Sequence, residues 1–271
     1  MTRDLTGGIN MRDKMNTATV RTLCSLLIVT AGVTSCSQKT KAPGPATKSA
    51  DEQQFEARIT DLVAKNVDVN TVEDRGIPIL YWAIENTYVD SARILLENGA
   101  DPDTRPKKNA HETALFACAT SLTYGDDPFE SRKFEGSRAI AELLIKHGAN
   151  VNHLVSEMKD TPLHKAALRG RTDLCSLFIQ HGAKVQAATA LGTTPLHEAA
   201  SAGYGETVQF LLKNGAQAGA LNVFGETALA LAQKREDEDT NQKIRKKTGL
   251  KYQPGSGYDR TIEVLKGHGA Q

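Results

Sequence analysis

Aromatic residues are scarce, at 5% of a 271-residue chain, and there is a single tryptophan. Large rings contribute the widest individual burial areas, so a chain with this few cannot fill one broad core. The shortage points to thin layers of helices joined through alanine and leucine. Neither sign of charge is in surplus, with 33 basic residues against 32 acidic. Wrapping a phosphate backbone calls for a basic excess, so no nucleic acid is expected as a partner. Four cysteines are too few for a disulfide-built scaffold. No apolar run reaches the roughly 20 residues that a membrane-spanning helix requires. What is left, 39% hydrophobic and 24% charged, is an ordinary globular composition.

The strongest apolar run is only Leu23 to Val33, preceded by Arg12, Lys14 and Arg21. A short apolar segment behind basic residues has the form of a secretory signal. It closes on Val33-Thr34-Ser35-Cys36, which resembles the lipobox of bacterial lipoproteins. That resemblance implies cleavage before Cys36 and acylation of its thiol and new amine. Two or three acyl chains anchor a protein stably where one is marginal. The segment ahead of Cys36 is long for such a signal, so translation is expected to start at Met11 or Met15 rather than Met1. Ser37, not aspartate, follows the cysteine; by the same resemblance this favours the outer membrane, facing the periplasm. Residues 36–50, rich in Lys, Thr, Pro, Ala and Gly, have almost nothing to bury and read as a flexible tether. Without residues 1–35 the chain carries 29 basic and 30 acidic residues, so a basic membrane-binding face is not expected.

The remainder, residues 51–271, repeats itself. Thr161-Pro162-Leu163-His164-Lys165-Ala166-Ala167 returns 33 residues later as Thr194-Pro195-Leu196-His197-Glu198-Ala199-Ala200. Thr227-Ala228-Leu229-Ala230-Leu231-Ala232 follows after another 33, with weaker copies upstream at Pro78–Ile84 and Thr113–Ala119. A second mark ends each unit: Gly99, Gly148, Gly182, Gly215 and Gly269, each followed by alanine. The period and the Thr-Pro-Leu-His-x-Ala motif resemble the ankyrin repeat. The local chemistry agrees. Threonine can cap a helix, proline suits the first helical position, and the closing glycine supplies a left-handed cap. The fold expected is all-α: a solenoid of five helix-turn-helix repeats joined by extended fingers. Phe55, Ile59, Leu62 and Val63 share one helical face ahead of it, forming an N-terminal capping helix that ends at Asn66.

Two repeats are longer than the rest. From motif start to closing glycine is 21 residues in repeats one, three and four, but 35 in repeat two and 42 in repeat five. Insertions near 120–136 and 234–258 are therefore expected between first and second helices. They read either as solvated loops, which close at little entropic cost, or as added binding elements.

No catalytic or cofactor constellation is present in the sequence. His164 and His197 occupy the motif position, where the resemblance implies bonds that steady the finger. His147, His181 and His268 precede closing glycines at helix C-termini, which favour positive charge. His111-Glu112 is followed by Leu115, not histidine, so there is no zincin pattern. Phosphate-cradling loops and nucleophile elbows are also missing. The run Glu236–Asp239 lacks the spacing of a calcium loop and reads as a solvated helix face. Cys118 and Cys175 fall in core slots of a first and a second helix and are expected buried and free.

The function expected is a membrane-tethered, non-catalytic, monomeric module that binds a protein outside the cytoplasm. An immunity-type inhibitor of a toxin, or an escort for a partner enzyme, is its sharpest form. The alternatives are an envelope housekeeping lipoprotein and an enzyme whose site is built by the insertions. The working surface is assigned to the finger tips. Arg75, Ala110, Met158, Leu191 and Phe224 each stand one residue before the motif glycine or its substitute, and Ile77, Leu168 and Arg169 lie beside them.

Overall fold

The computed structural model describes residues 48–71, 76–106, 112–120, 128–155, 157–241 and 257–269, with backbone alone for 128–134 and 236–241. Cys36, Arg75 and Ala110 lie outside the described residues, as do the signal segment and most of the tether. Among the described residues there are eleven helices: α1 (Ala50–Ala64), α2 (Ile79–Glu85), α3 (Val89–Glu97), α4 (Ala114–Thr120), α5 (Pro128–Lys146), α6 (Pro162–Leu168), α7 (Thr172–Gln180), α8 (Pro195–Ser201), α9 (Gly205–Lys213), α10 (Ala228–Asn241) and α11 (Tyr258–Gly267). None of them is long and apolar enough to cross a membrane.

After α1 the helices come in five antiparallel pairs, α2/α3 to α10/α11. First helices pack on first helices and second helices on second helices. The alanine pairs make this possible: Ala166, Ala167, Ala199 and Ala200 are fully buried. Second helices contribute Leu95, Leu144, Leu174, Leu211 and Leu265 to the same continuous core. Repeats that bury each other's faces in this way are stable only as a stack.

The motif threonine and histidine act as a unit. In repeat three the Thr161 N–H donates to His164 Nδ1 at 3.2 Å, so the ring proton sits on Nε2 and reaches the Thr193 carbonyl of the next finger at 3.0 Å. In repeat four, His197 Nδ1 accepts from the Thr194 N–H and Nε2 reaches the Glu226 carbonyl. Burial pushes both imidazoles below their ordinary pKa, which keeps them in the neutral form this bonding needs. Repeat one does the same with other residues, since Tyr81 Oη donates to Glu112 Oε2 at 2.9 Å.

The N-terminal end is closed by aromatic packing. Phe55 and Ile59 of α1 are buried. The Phe55 ring centroid lies 4.3 Å from Trp82 and 5.8 Å from Tyr88. Asn66 ends the cap with φ 54°, in the region later repeats fill with glycine.

The insertions differ from simple loops. In repeat two the second helix begins at Pro128, so the added chain lengthens α5 to 19 residues. Its glycine, Gly136, is helical, whereas the equivalent Gly170 and Gly203 have positive φ in tight turns. Gly136 is needed for another reason: a Cβ there would stand 2.9 Å from the methyl of Thr87 in the preceding repeat. In repeat five the first helix does not stop at the usual place, and α10 runs on to Asn241. The backbone of 236–239 is thus helical, as its acidic run implied. Parts of both insertions extend helices, a correction to the expectation of loops between them; residues 121–127 and 242–256 are outside the described set.

Candidate functional site: the finger tips

The fingers that join repeats are tied at base and tip. At the base, the residue four places after Asn66, Gly99, Gly148 and Gly182 bridges to the next repeat. Asn70 Nδ2 donates to the Gly99 carbonyl while its Oδ1 accepts from the Asp101 N–H at 2.7 Å. Asp103 accepts from the Asn150 N–H, Asn152 spans Gly182 and Lys184, and Gln186 donates to the Gly215 carbonyl. This ladder was not read from the sequence, because the rungs share an offset and a polar reach rather than one residue type.

At the tips, a polar side chain holds the turn. Thr189 Oγ1 accepts the N–H groups of Leu191 and Thr193 in the fourth finger. In the fifth, 33 residues on, Asn222 Oδ1 accepts those of Phe224 and Glu226, both at 2.9 Å. Neighbouring tips also bond to each other. The Ala190 N–H donates to the Met158 carbonyl at 2.8 Å, and the Val223 N–H to the Leu191 carbonyl at 3.0 Å. Met158, Leu191 and Phe224 therefore stand in line on braced loops.

Their side chains face solvent. Among the described residues eight large hydrophobic side chains are exposed, and six of them belong to these three fingers: Leu154, Met158, Leu191, Leu221, Val223 and Phe224. Scattered exposed hydrophobes are unremarkable, but a contiguous set marks an interaction surface. Of the residues assigned from sequence, Met158 (41% exposed), Leu191 (39%) and Phe224 (70%) share the row. Ile77, Leu168 and Arg169 are half-buried, and the Arg169 Nε is buried without a hydrogen-bond partner. Leu154, Leu221 and Val223 were missed, although their places on the same loops could have been counted from the repeat.

Lys159 departs from the pattern at this row. It has φ 59°, where Gly192 and Gly225 hold the same turn at 71° and 73°. A side chain in that conformation costs about 1 kcal/mol or more. Lys159→Gly is therefore expected to stabilise the chain by about 1 kcal/mol, read as a higher melting temperature. A lower melting temperature would show that the lysine makes compensating contacts.

Among the described residues no group of three or more His, Cys, Asp or Glu is placed to hold a metal. Cys118 and Cys175 are buried and unpaired. Burial pushes both thiols up to about 12, which suppresses the reactive thiolate.

Comparison with known proteins agrees with this architecture. Residues 131–222 match the family model for ankyrin repeats (3 copies). The human neurogenic locus notch homolog protein 1 is 43% identical over 61 residues, which is 22% of this chain and 2% of that protein. Human ankyrin repeat and SOCS box protein 18 is 33% identical over 116 residues, covering 37% of this chain and 25% of the relative. Human ankyrin repeat and SOCS box protein 16 is 32% identical over 155 residues, covering 45% and 34%. The chain thus spans 25% and 34% of the length of the last two relatives, and only 2% of the first. Ankyrin repeats serve in general as non-catalytic modules for protein interaction. This chain carries such repeats, stacked as an all-α ankyrin solenoid.

Proposed function

We propose that the chain is a lipid-anchored, non-catalytic protein-binding module, acting as a monomer outside the cytoplasm and gripping its partner with the tips of its fingers. The observation that carries this reading is the braced row of Met158, Leu191 and Phe224. Loops held by Thr189 and Asn222 lose little entropy on binding, so contact at their apolar tips yields a larger net gain. Methionine and aromatic side chains are also favoured at interface cores.

The anchor is read from Val33-Thr34-Ser35-Cys36 at the end of the apolar run, followed by a segment rich in Lys, Thr, Pro and Ala. Outer-membrane attachment facing the periplasm follows from Ser37 by resemblance to other lipoproteins. A tethered, near-neutral binder without a nucleophile–base pair suits an immunity-type inhibitor of a toxin or an escort for a partner enzyme.

The test is to co-purify and identify the protein held by the lipidated chain, then measure its affinity for the variant Met158→Ser/Phe224→Ser. Loss of about 2 kcal/mol, roughly 30-fold, is expected if these are hot spots, with melting hardly altered. Unchanged affinity overturns the tip reading. The anchor is tested separately: Cys36→Ser should lose acyl labelling and leave the membrane. Retention as firm as the parent's contradicts lipidation.

A further inference from the structure

Under each of fingers four and five sits a histidine that holds the tip shut. The Thr193 carbonyl accepts the Thr189 N–H at 2.9 Å, which closes the tip of finger four, and it also accepts from His164 Nε2 at 3.0 Å. One repeat on, the Glu226 carbonyl accepts the Asn222 N–H at 3.1 Å and His197 Nε2 at 3.2 Å. Each ring therefore ties a first helix to the bond that closes the tip beyond it. Thr189 and Asn222 are also the residues whose side chains brace Leu191 and Phe224. The other repeats have no imidazole at this place: the third residue after the motif start is Tyr81, Phe116 or Ala230.

Both rings do this work only in the neutral state. His164 Nδ1 accepts the Thr161 N–H and His197 Nδ1 the Thr194 N–H, each at 3.2 Å. A proton added there sets donor against donor. The threonine hydroxyl, 2.8 Å from the same nitrogen in both repeats, can turn to accept the new proton, but the backbone N–H loses its acceptor. His164 is 1% exposed and His197 is fully buried, so water does not hydrate the cation. Neighbouring charges do not replace that water. Asp160 and Lys165 oppose each other beside His164, and the next finger carries no charge from Ala187 to Thr193. Beside His197 stands Glu226, whose carboxylate is engaged by Asn222 and Lys234. The carbonyls of Ala187 and Ala220 favour the cation as well, yet burial outweighs all of these contacts in both rings. An imidazolium is relieved by swinging out to solvent, and its bond to the closing carbonyl goes with it.

We propose that His164 and His197 form an acid-sensitive catch under the binding tips: protonation withdraws the rings, unties fingers four and five, and weakens the hold on the partner. The closed fingers retain the neutral rings, which sets the sign. Closure is complete above the ordinary imidazole pKa of about 6.5 and is lost as pH falls below it. Each ring can loosen its tip by no more than about 30-fold between pH 7.5 and 5.0, the full protonation gain of an exposed imidazole over that range. The catch rests on the reading of the tips as the binding surface and adds to it a condition for release.

Hydrogen exchange of the isotope-labelled full chain reads the catch directly, because the Thr189 and Asn222 amides donate the closing bonds. After correction for the intrinsic slowing of exchange in acid, protection of both amides is expected to drop about fivefold or more from pH 7.5 to 5.0. The Tyr88 amide of repeat one, bonded to the Ala83 carbonyl, should hold its protection. An equal drop at Tyr88 would assign the response to the whole stack and overturns the catch, as does constant protection at Thr189 and Asn222. His164→Gln/His197→Gln keeps an acceptor and a donor without a titrating ring and should flatten the response; a response that persists overturns the catch. If this variant does not fold, the ring nitrogens of the parent decide: their titration midpoints should match those of the tip protection, and unmatched midpoints overturn it. Affinity for the protein co-purified with the chain should fall by about the same factor over this range, and an affinity that stays constant while the tips open overturns release. If the exchange test fails, the catch alone falls and the tip reading stands. If Met158→Ser/Phe224→Ser keeps full partner affinity, the tip reading falls and takes release with it.

Discussion

Replacing Asp173 with asparagine is expected to cost about 3–5 kcal/mol of stability, because it strands a buried guanidinium. Arg171 is 1% exposed, and its Nε and Nη2 each donate to one Asp173 carboxylate oxygen at 2.9 Å. Its Nη1 donates to Ser137 Oγ of α5 at 3.0 Å, so the pair also holds repeat two to repeat three. For a domain of this size the loss corresponds to a fall of about 6 °C or more in melting temperature. A variant melting within about 1 °C of the parent would contradict the assignment. The repeat pattern supplies a rescue. Eleven residues before the closing glycine, repeats one, four and five carry Tyr88, Tyr204 and Tyr258 where repeat three has Arg171. Tyr204 packs so closely on Gly170 that a Cβ there would stand 2.5 Å from the ring. Gly136 offers the same absence of a side chain one repeat earlier. Arg171→Tyr/Asp173→Glu installs the residues that repeat four carries at these two positions, Tyr204 and Glu206, and should recover most of the loss.

Phe55→Ala should act at the other end of the array. Deleting a buried phenylalanine costs about 3–5 kcal/mol, and here it opens the contact with Trp82 and Tyr88. Interactions in a repeat array are between neighbours, so the damage should stay local. Trp82 is the only tryptophan, so its fluorescence reports the N-terminal end alone. The expected result is a fluorescence transition well below the main helical transition in circular dichroism. Coincident transitions at the parent temperature would show that α1 is dispensable.

The repeat was legible because several independent residue preferences recur at one interval. The threonine cap, the proline beside it, the alanine pair and the closing glycine each have a local cause, and together they define each helix pair. Asn66 was readable as a glycine substitute because asparagine tolerates positive φ. The acidic run Glu236–Asp239 was legible as helix, but the helix start at Pro128 and the unbroken run of α10 were not, although their signals were present. Asp127-Pro128 with Glu130 has the form of a helix start, and repeat five lacks a glycine after Arg235 to stop α10. Arg171 escaped for a different reason. Its burial depends on packing across repeats two and three, not on its neighbours in sequence. The tip residues were legible by counting, but which of them stay exposed depends on how adjacent fingers cover one another.

The claim that the fingers grip a partner is tested most directly by photo-crosslinking in the cells that make the protein. A photoreactive phenylalanine analogue would replace Phe224 in one variant and Glu263, on the exposed side of α11, in another. The account predicts that the Phe224 position captures one discrete protein and the Glu263 position does not. Capture of the same protein from Glu263, with none from Phe224, would contradict it.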